Sequence, residues 1–212
     1  YYPKDYQYQG VKVFAPRARF EYSVLTYGYP SDRFLRTGEK RPNSFLMVGY
    51  LNSANYFRKG VDIIIAIAMA FPQCSFTIIG GDHSDIPMES VPDNLSLVKS
   101  VDYESLQKYY SEHQFYMQVS ICEGFPSALC EAMLCECVPI VSDVAAMPEI
   151  VGETGFILKE KNEGEFIRLV DEALASSQLE HLGRSARNRI IENHPPEKRL
   201  EFIRYIQEII EG

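Results

Sequence analysis

No run of this 212-residue sequence stays apolar for the roughly 18–20 residues that a bilayer-spanning helix needs. The nearest approach, Val61 to Phe71, is shorter and carries Asp62. Basic residues are also in deficit: 21 Lys and Arg stand against 29 Asp and Glu, a formal net charge of -8. That balance disfavours general nucleic-acid binding, which needs a basic surface, but leaves room for a small cationic pocket around a phosphorylated ligand. Histidine is sparse. His83, His113, His181 and His194 are scattered without ligand spacing and read as surface or loop residues. The five cysteines, Cys74, Cys122, Cys130, Cys135 and Cys137, make an odd count, and Cys135 and Cys137 lack metal-site spacing. Reduced core thiols in a cytosolic protein are therefore expected. There is no internal repeat and no low-complexity tract. No signal peptide is read at the start, and because Tyr1 is not Met the start is expected to be a cut or processed end.

What is present is a globular composition, 46% apolar. Residues 1–22 are Tyr-rich and irregular in pattern; Tyr22–Leu25 suits a short strand, Tyr29–Asp32 a turn and Lys40–Asn43 a loop. From Phe45 the pattern becomes regular. Short apolar runs at Phe45–Val48, Ser75–Ile79, Leu95–Val98, Phe115–Val119, Val138–Val141 and Gly155–Leu158 predict strands. Val61–Phe71, stopped by Pro72, predicts a helix apolar on all sides and so largely buried. Asp102 predicts the cap of a helix carrying Leu106, Tyr109 and Tyr110, and Ala146–Val151 a short helical turn. Stripes at Phe166, Ile167, Val170, Leu174, at Leu179, Leu182, Ala186, Ile190, and at Leu200, Ile203, Ile206, Ile210 predict closing helices. Strands alternating with helices imply an α/β fold, a Rossmann-like parallel sheet flanked by helices. Nearly all-apolar strands fit a sheet covered on both faces. Gly49, Gly80–Gly81, Ser100 and the loop at Glu123 all follow strands and would line the carboxyl edge, where such sheets bind ligands.

The segment Glu123-Gly124-Phe125-Pro126-Ser127-Ala128-Leu129-Cys130-Glu131 carries the chemistry. It reads as a tight loop opening onto a helix, whose first turn offers unpaired amides and a positive dipole end to a phosphate. A carboxylate further along the helix repels phosphate but accepts hydrogen bonds from hydroxyls. Phosphate beside hydroxyls is the chemistry of a nucleotide-sugar. Taken singly, Glu131 could be a solvated helix acid, Glu123 a solvated loop acid, Lys59 an exposed lysine before a helix, and Ser127 a helix cap. The two glutamates would also suit the acid and nucleophile of a glycosidase, against which the phosphate-type loop and the lack of a barrel repeat argue.

Residues from about Ser44 to Ala175 resemble the C-terminal, donor-binding domain of a GT-B glycosyltransferase, of the retaining type called group 1 or family four. The resemblance rests on an ordered set: Val48-Gly49, Lys59-Gly60, Glu123 and Glu131, Ala132-Met133, Val138 to Asp143, Pro148-Glu149-Ile150-Val151, and Gly155. It implies a 45–212 nucleotide-sugar-binding domain with C-terminal helices, after a 1–44 irregular segment or interdomain remnant. Glu131 resembles the glutamate that binds the ribose diol, Glu123 the one near the transferred sugar, and Lys59 the lysine on the diphosphate. Arg58 is a candidate further cation. Gly49, Tyr50, Gly124, Phe125, Pro126, Ser127 and Ala128 would line the sugar and phosphates, and Ser100 and Val101 the base. Pro126 brings no N–H. No Asp-x-Asp pair follows a strand end, so no metal or other cofactor is expected, and cations and the helix dipole would neutralise charge. The sequence departs from the family at Tyr50, where arginine is usual, and at Glu136 and Ala145-Ala146, where glycines are common. Tyr50 gives weight to an alternative, a non-catalytic nucleotide-sugar- or partner-binding module.

The partners implied are a UDP or GDP type sugar donor, an N-terminal acceptor domain missing from this chain, and a glycan or lipid-linked acceptor, as in polysaccharide biosynthesis. A cytoplasmic location, with peripheral contact of the parent enzyme to the membrane face, goes with the resemblance. The isolated half is expected to bind donor weakly and to transfer sugar poorly. The last helix would cross to the absent domain, leaving its apolar face partly uncovered here.

Overall fold

The computed structural model describes residues 26–211, apart from Ser53, Ala54, Asp82, Ser84, Asp85 and Pro87, together with Arg17 and Arg19. The strand expected at Tyr22–Leu25 lies outside the described residues, as does most of the Tyr-rich stretch before it. The order of elements is β1 (Arg41–Val48), α1 (Tyr56–Lys59), α2 (Val61–Ala70), β2 (Ser75–Ile79), a 3₁₀ turn (Met88–Ser90), β3 (Leu95–Val98), α3 (Tyr103–Glu112) and β4 (His113–Gln118), followed by α4 (Ser127–Leu134), β5 (Val138–Ser142), α5 (Met147–Val151), β6 (Phe156–Leu158), α6 (Glu163–Ala175), α7 (Leu179–Asn193) and α8 (Lys198–Glu211).

The strands form one parallel sheet in the order β3-β2-β1-β4-β5-β6. The chain leaves β1 toward one edge and returns to pair β4 on the other side, so the switch point lies between β1 and β4. Phe45, Phe76 and Phe115 are register partners on these central strands, and the Phe45 ring stacks on both neighbours at 4.8 and 4.7 Å. Helices flank the sheet: α2 packs on α6, and α4 packs on α7 and α3. The expectation that α2 is largely buried is met at Val61, Ile63, Ile64, Ile65, Ile67 and Ala68, while Met69 at its end is exposed. Its end is closed from outside the helix: Asn94 Nδ2 lies 2.9 Å from the carbonyls of Ala68 and Phe71 and 3.0 Å from that of Cys74. Asp102 caps α3 as expected, accepting from Ser105 N at 2.8 Å.

Three expectations are corrected. Lys40–Asn43 is not a loop, since β1 starts at Arg41. Pro42 and Asn43 are accommodated by a register shift between Arg41 and Phe45, with Asn43 at φ 56. A bulge is where a strand tolerates such residues. Residues ahead of β1 also join the body of the sheet: Tyr29 and Phe34 are 4% and 2% exposed in the same core. Finally, His113 and His194 are not surface residues but are buried. His113 opens β4. Its Nδ1 sits 2.8 Å from the Tyr109 carbonyl, and its Nε2 sits 3.0 Å from Thr77 Oγ1. A carbonyl only accepts, so Nδ1 carries the proton and Nε2 accepts. Helix α8, by contrast, buries no residue; Leu200, Ile203, Ile206 and Ile210 remain substantially exposed.

Burial, with lesser help from Arg41 and Lys40, pushes the His113 imidazole down from 6.5 to about 4. Between those values the unfolded chain binds a proton that the folded chain refuses, so stability is lost as pH falls through this window. The contribution is on the order of 2–3 kcal/mol. Urea unfolding between neutral pH and pH of about 4 should show this loss, and His113→Gln should flatten it; an unchanged slope would contradict the assignment.

Candidate active site at the sheet switch point

The loops after β1 and β4 diverge at the switch point, and the sequence places its cation and its first acid on opposite sides of the gap. Lys59 ends α1, and Gly60 at φ 76 turns the chain into α2. A Cβ on Gly60 would fall 2.5 Å from the Val119 carbonyl, so only glycine lets this junction press against the β4–α4 loop. Ile121 N donates to the Arg58 carbonyl at 2.8 Å, and the Arg58 guanidinium donates to the Cys122 carbonyl at 3.2 Å. With the two segments clamped, Lys59 Nζ lies 2.6 Å from Glu123 Oε1, both side chains being mostly buried. Ser120 Oγ donates to the same oxygen at 2.7 Å. The stem of Lys59 runs beside Gly49, whose absent Cβ would stand 3.9 Å from Lys59 Cδ and Cε.

Beyond Glu123 the loop is open. A Cβ on Gly124 would meet nothing within 4 Å. Ser127 N is used by the Phe125 carbonyl at 3.1 Å, whereas the amides of Gly124 and Phe125 have no partner among the described residues. Pro126 occupies the N-cap of α4 with no side-chain cap, so Ser127 is not a cap; its Oγ instead accepts from the Tyr29 hydroxyl at 2.9 Å. The opposite end of α4 is held by cations. Arg187 donates to the carbonyls of Leu134, Phe34 and Ser31, and Lys40 Nζ donates to Cys135 O at 2.7 Å. Cations at the carboxyl end satisfy that pole of the helix and leave its amino pole as the one facing the crevice.

Glu131, one turn into α4, is half-buried and accepts from the Tyr110 hydroxyl at 3.1 Å. Burial raises its carboxyl above the ordinary value, and the Tyr110 bond partly opposes this. Both acids act on one buried group: the Tyr116 phenol is driven far up, first by burial and then by Glu123 and Glu131. Tyr116 lies on β4 and reaches the Val48 carbonyl at the end of β1 at 3.4 Å.

The structure brings Lys59, Arg58, Gly49, Glu123 and Gly124 together around one loop. Ala128 is half-buried in the first turn of α4. Arg58 is committed to bracing that loop. Tyr50 is 70% exposed, and its carbonyl accepts from Asn55 Nδ2 at 2.6 Å. Ser100 and Val101 lie at the same sheet edge in the β3–α3 loop but are not hydrogen-bonded to the others among the described residues. The departures at Glu136 and Ala145 sit at φ 62 and 51, which is the backbone reason glycine is favoured there. Tyr29, Tyr110 and Ser120 were not legible as site residues. Tyr110 read as an apolar helix face, and neither Tyr29 nor Ser120 belongs to a periodic pattern.

A six-stranded parallel sheet in this order, flanked by helices, is the architecture of a GT-B type Rossmann-like domain. The profile of the family described as glycosyl transferases group 1 matches residues 32–195, and the chain belongs to that family. Among curated proteins it is 25% identical over 139 residues to the phosphatidylinositol N-acetylglucosaminyltransferase gpi3 subunit of Schizosaccharomyces pombe, covering 61% of this chain and 30% of that one. The chain thus spans about a third of the length of its curated relatives. Among solved structures it superposes on sucrose-phosphate synthase of Thermosynechococcus elongatus with a TM-score of 0.75 at 20% identity, covering 88% of this chain and 52% of that one. Anabaena HepE in complex with UDP-glucose gives 0.73 at 13% identity, with 89% and 57% covered. These likenesses show the fold.

Removing one partner of the Lys59–Glu123 pair strands a mostly buried charge. Lys59→Met is expected to cost about 1–3 kcal/mol in urea unfolding, and Lys59→Met combined with Glu123→Leu less than the sum of the single changes. Strict additivity would mean that the pair is not coupled in solution.

Proposed function

We propose that this chain is the donor-binding half of a retaining glycosyltransferase that takes a nucleotide-diphosphate sugar. The observation that carries the reading is the Lys59–Glu123 contact across the crevice, beneath an open loop that feeds the amino end of α4. The diphosphate sits on the loop amides and that helix end, with Lys59 moving from Glu123 to the phosphates and offsetting charge on the leaving group. Glu123, so released, accepts from a hydroxyl of the transferred sugar or answers charge at the anomeric carbon. Glu131, fixed by Tyr110, accepts both hydroxyls of the ribose. Gly49 and Tyr50 border the phosphates, and Ser100 and Val101 border the base. No metal is needed in this scheme.

A second, N-terminal domain supplies the acceptor side of the cleft, and the chain without it transfers sugar poorly. The relatives' names support a lipid-linked acceptor, since they include phosphatidylinositol N-acetylglucosaminyltransferases and a galactosylglucosyldiacylglycerol synthase. Such an acceptor goes with a cytoplasmic enzyme working at the membrane face. The exposed Tyr50, where a cation is usual, favours as second reading a module that binds nucleotide-sugar without transfer; turnover by the whole protein separates the two.

Glu131→Ala is expected to weaken binding of the preferred nucleoside diphosphate by about 1.5–3 kcal/mol, roughly ten- to a hundredfold. A ribose diol stabilises the ionised carboxylate, so binding lowers its raised pKa and expels a proton. Affinity should therefore increase with pH just above the ordinary carboxylate range and then level off. Calorimetry in buffers of different ionisation enthalpy should detect the proton with the native protein and not with Glu131→Ala. Equal affinities in the two proteins would remove Glu131 from the site.

A further inference from the structure

A residue far from the motif decides what the motif's serine can do. Tyr29 precedes β1, yet its hydroxyl reaches Ser127 Oγ at the first position of α4. Its ring lies parallel to that of Phe125, at 6.2 Å and 16°. Two further rings approach the same Phe125: Tyr27 at 5.7 Å, tilted, and His194 at 5.4 Å, edge-on. Tyr29 is itself tied down at the α7–α8 corner: its N donates to the His194 carbonyl at 2.9 Å, and Arg199 Nε donates to the neighbouring Gly28 carbonyl at 2.9 Å. Three aromatic rings and two backbone bonds therefore fix both Phe125 and the tyrosine hydroxyl.

A serine hydroxyl has one proton and two lone pairs. Tyr29 sits buried on one side of Ser127, while Ser127 is exposed on the other. Burial drives the Tyr29 phenol well above its ordinary value, so it keeps its proton; its neighbours are Ser127 Oγ and the Cys130 thiol, and the geometry gives that proton to Ser127. With its inner lone pair occupied, Ser127 has its own proton left to give outward. Without the tyrosine proton, the serine is free to turn its hydrogen inward and present lone pairs to the crevice, which a phosphate oxygen avoids.

We propose that Tyr29 is a positioning residue for the donor diphosphate, filling the acceptor side of Ser127 so that Oγ–H points as a donor at the anion on the amino end of α4. This rests on the diphosphate site proposed above. The experiment measures affinities of the protein for UDP and GDP by calorimetry, and for uridine and guanosine by ligand-observed NMR, in the native form, Tyr29→Phe, Ser127→Ala and the double variant.

Whichever diphosphate binds should lose about three- to tenfold in Tyr29→Phe and in Ser127→Ala, the size of one net hydrogen bond. The nucleoside should lose nothing, the double variant should be no weaker than Ser127→Ala, and Ser127→Thr should retain affinity. A role in packing alone would weaken nucleoside and diphosphate together and add to Ser127→Ala; that result, or unchanged diphosphate binding by Tyr29→Phe, overturns the assignment. If Tyr29→Phe does not fold, Ser127→Ala decides: a diphosphate-selective loss supports the donor role and equal binding removes it. Native protein that binds neither diphosphate defeats the donor site itself, and the role of Tyr29 with it.

Discussion

The parallel pairing of β1 with β4 is the constraint on which the rest depends. It makes the chain leave the sheet centre in opposite directions, and two diverging loops cannot fill the space between them. Everything chemically distinctive gathers there. Gly60 lets the α1–α2 junction touch Val119, Arg58 grips the β4–α4 loop, and Lys59 and Glu123 meet in the gap. The stacked rings of Phe76, Phe45 and Phe115 hold the strands beneath in register.

Polarity follows from how α4 is held. Its carboxyl end takes Arg187 and Lys40, while its amino end has a proline at the N-cap and no side-chain cap. Capping that end with an acid would satisfy its amides and close it to an anion. Leaving it open costs some helix stability, which the wholly buried Leu129, Ala132, Met133 and Leu134 offset through packing. The carboxylates stand to either side of this open end rather than on it, so in the proposed reading acceptors for hydroxyls lie beside the phosphate site without occupying it.

Much of the sheet was legible because its strands are short apolar runs punctuated by Gly, Pro and Asp. The run Val61–Phe71 was legible as a buried helix for the same reason, and the helix ends one residue earlier, at Ala70. The β1 start was not, because Pro42 and Asn43 mimic a loop and only the pairing with β4 reveals a bulge. Buried His113 was missed because a histidine's burial depends on partners, Thr77 and Tyr109, that arrive from other elements. At the candidate site, Lys59, Glu123 and Glu131 were visible as an ordered motif. Tyr29 and Tyr110 were invisible, since each acts through a hydroxyl whose target lies on α4, 98 and 21 residues along the chain. A motif records what a loop carries; the groups that aim it are set by tertiary packing.

The central claim is spatial, and a crystal structure of this protein with bound UDP or GDP tests it most directly. The account predicts the two phosphates over Gly124 and Phe125 at the amino end of α4, Lys59 turned from Glu123 toward them, and the ribose hydroxyls on Glu131. A nucleotide bound away from the β1–β4 crevice, or bound there with Lys59 still on Glu123 and the ribose remote from Glu131, would contradict it.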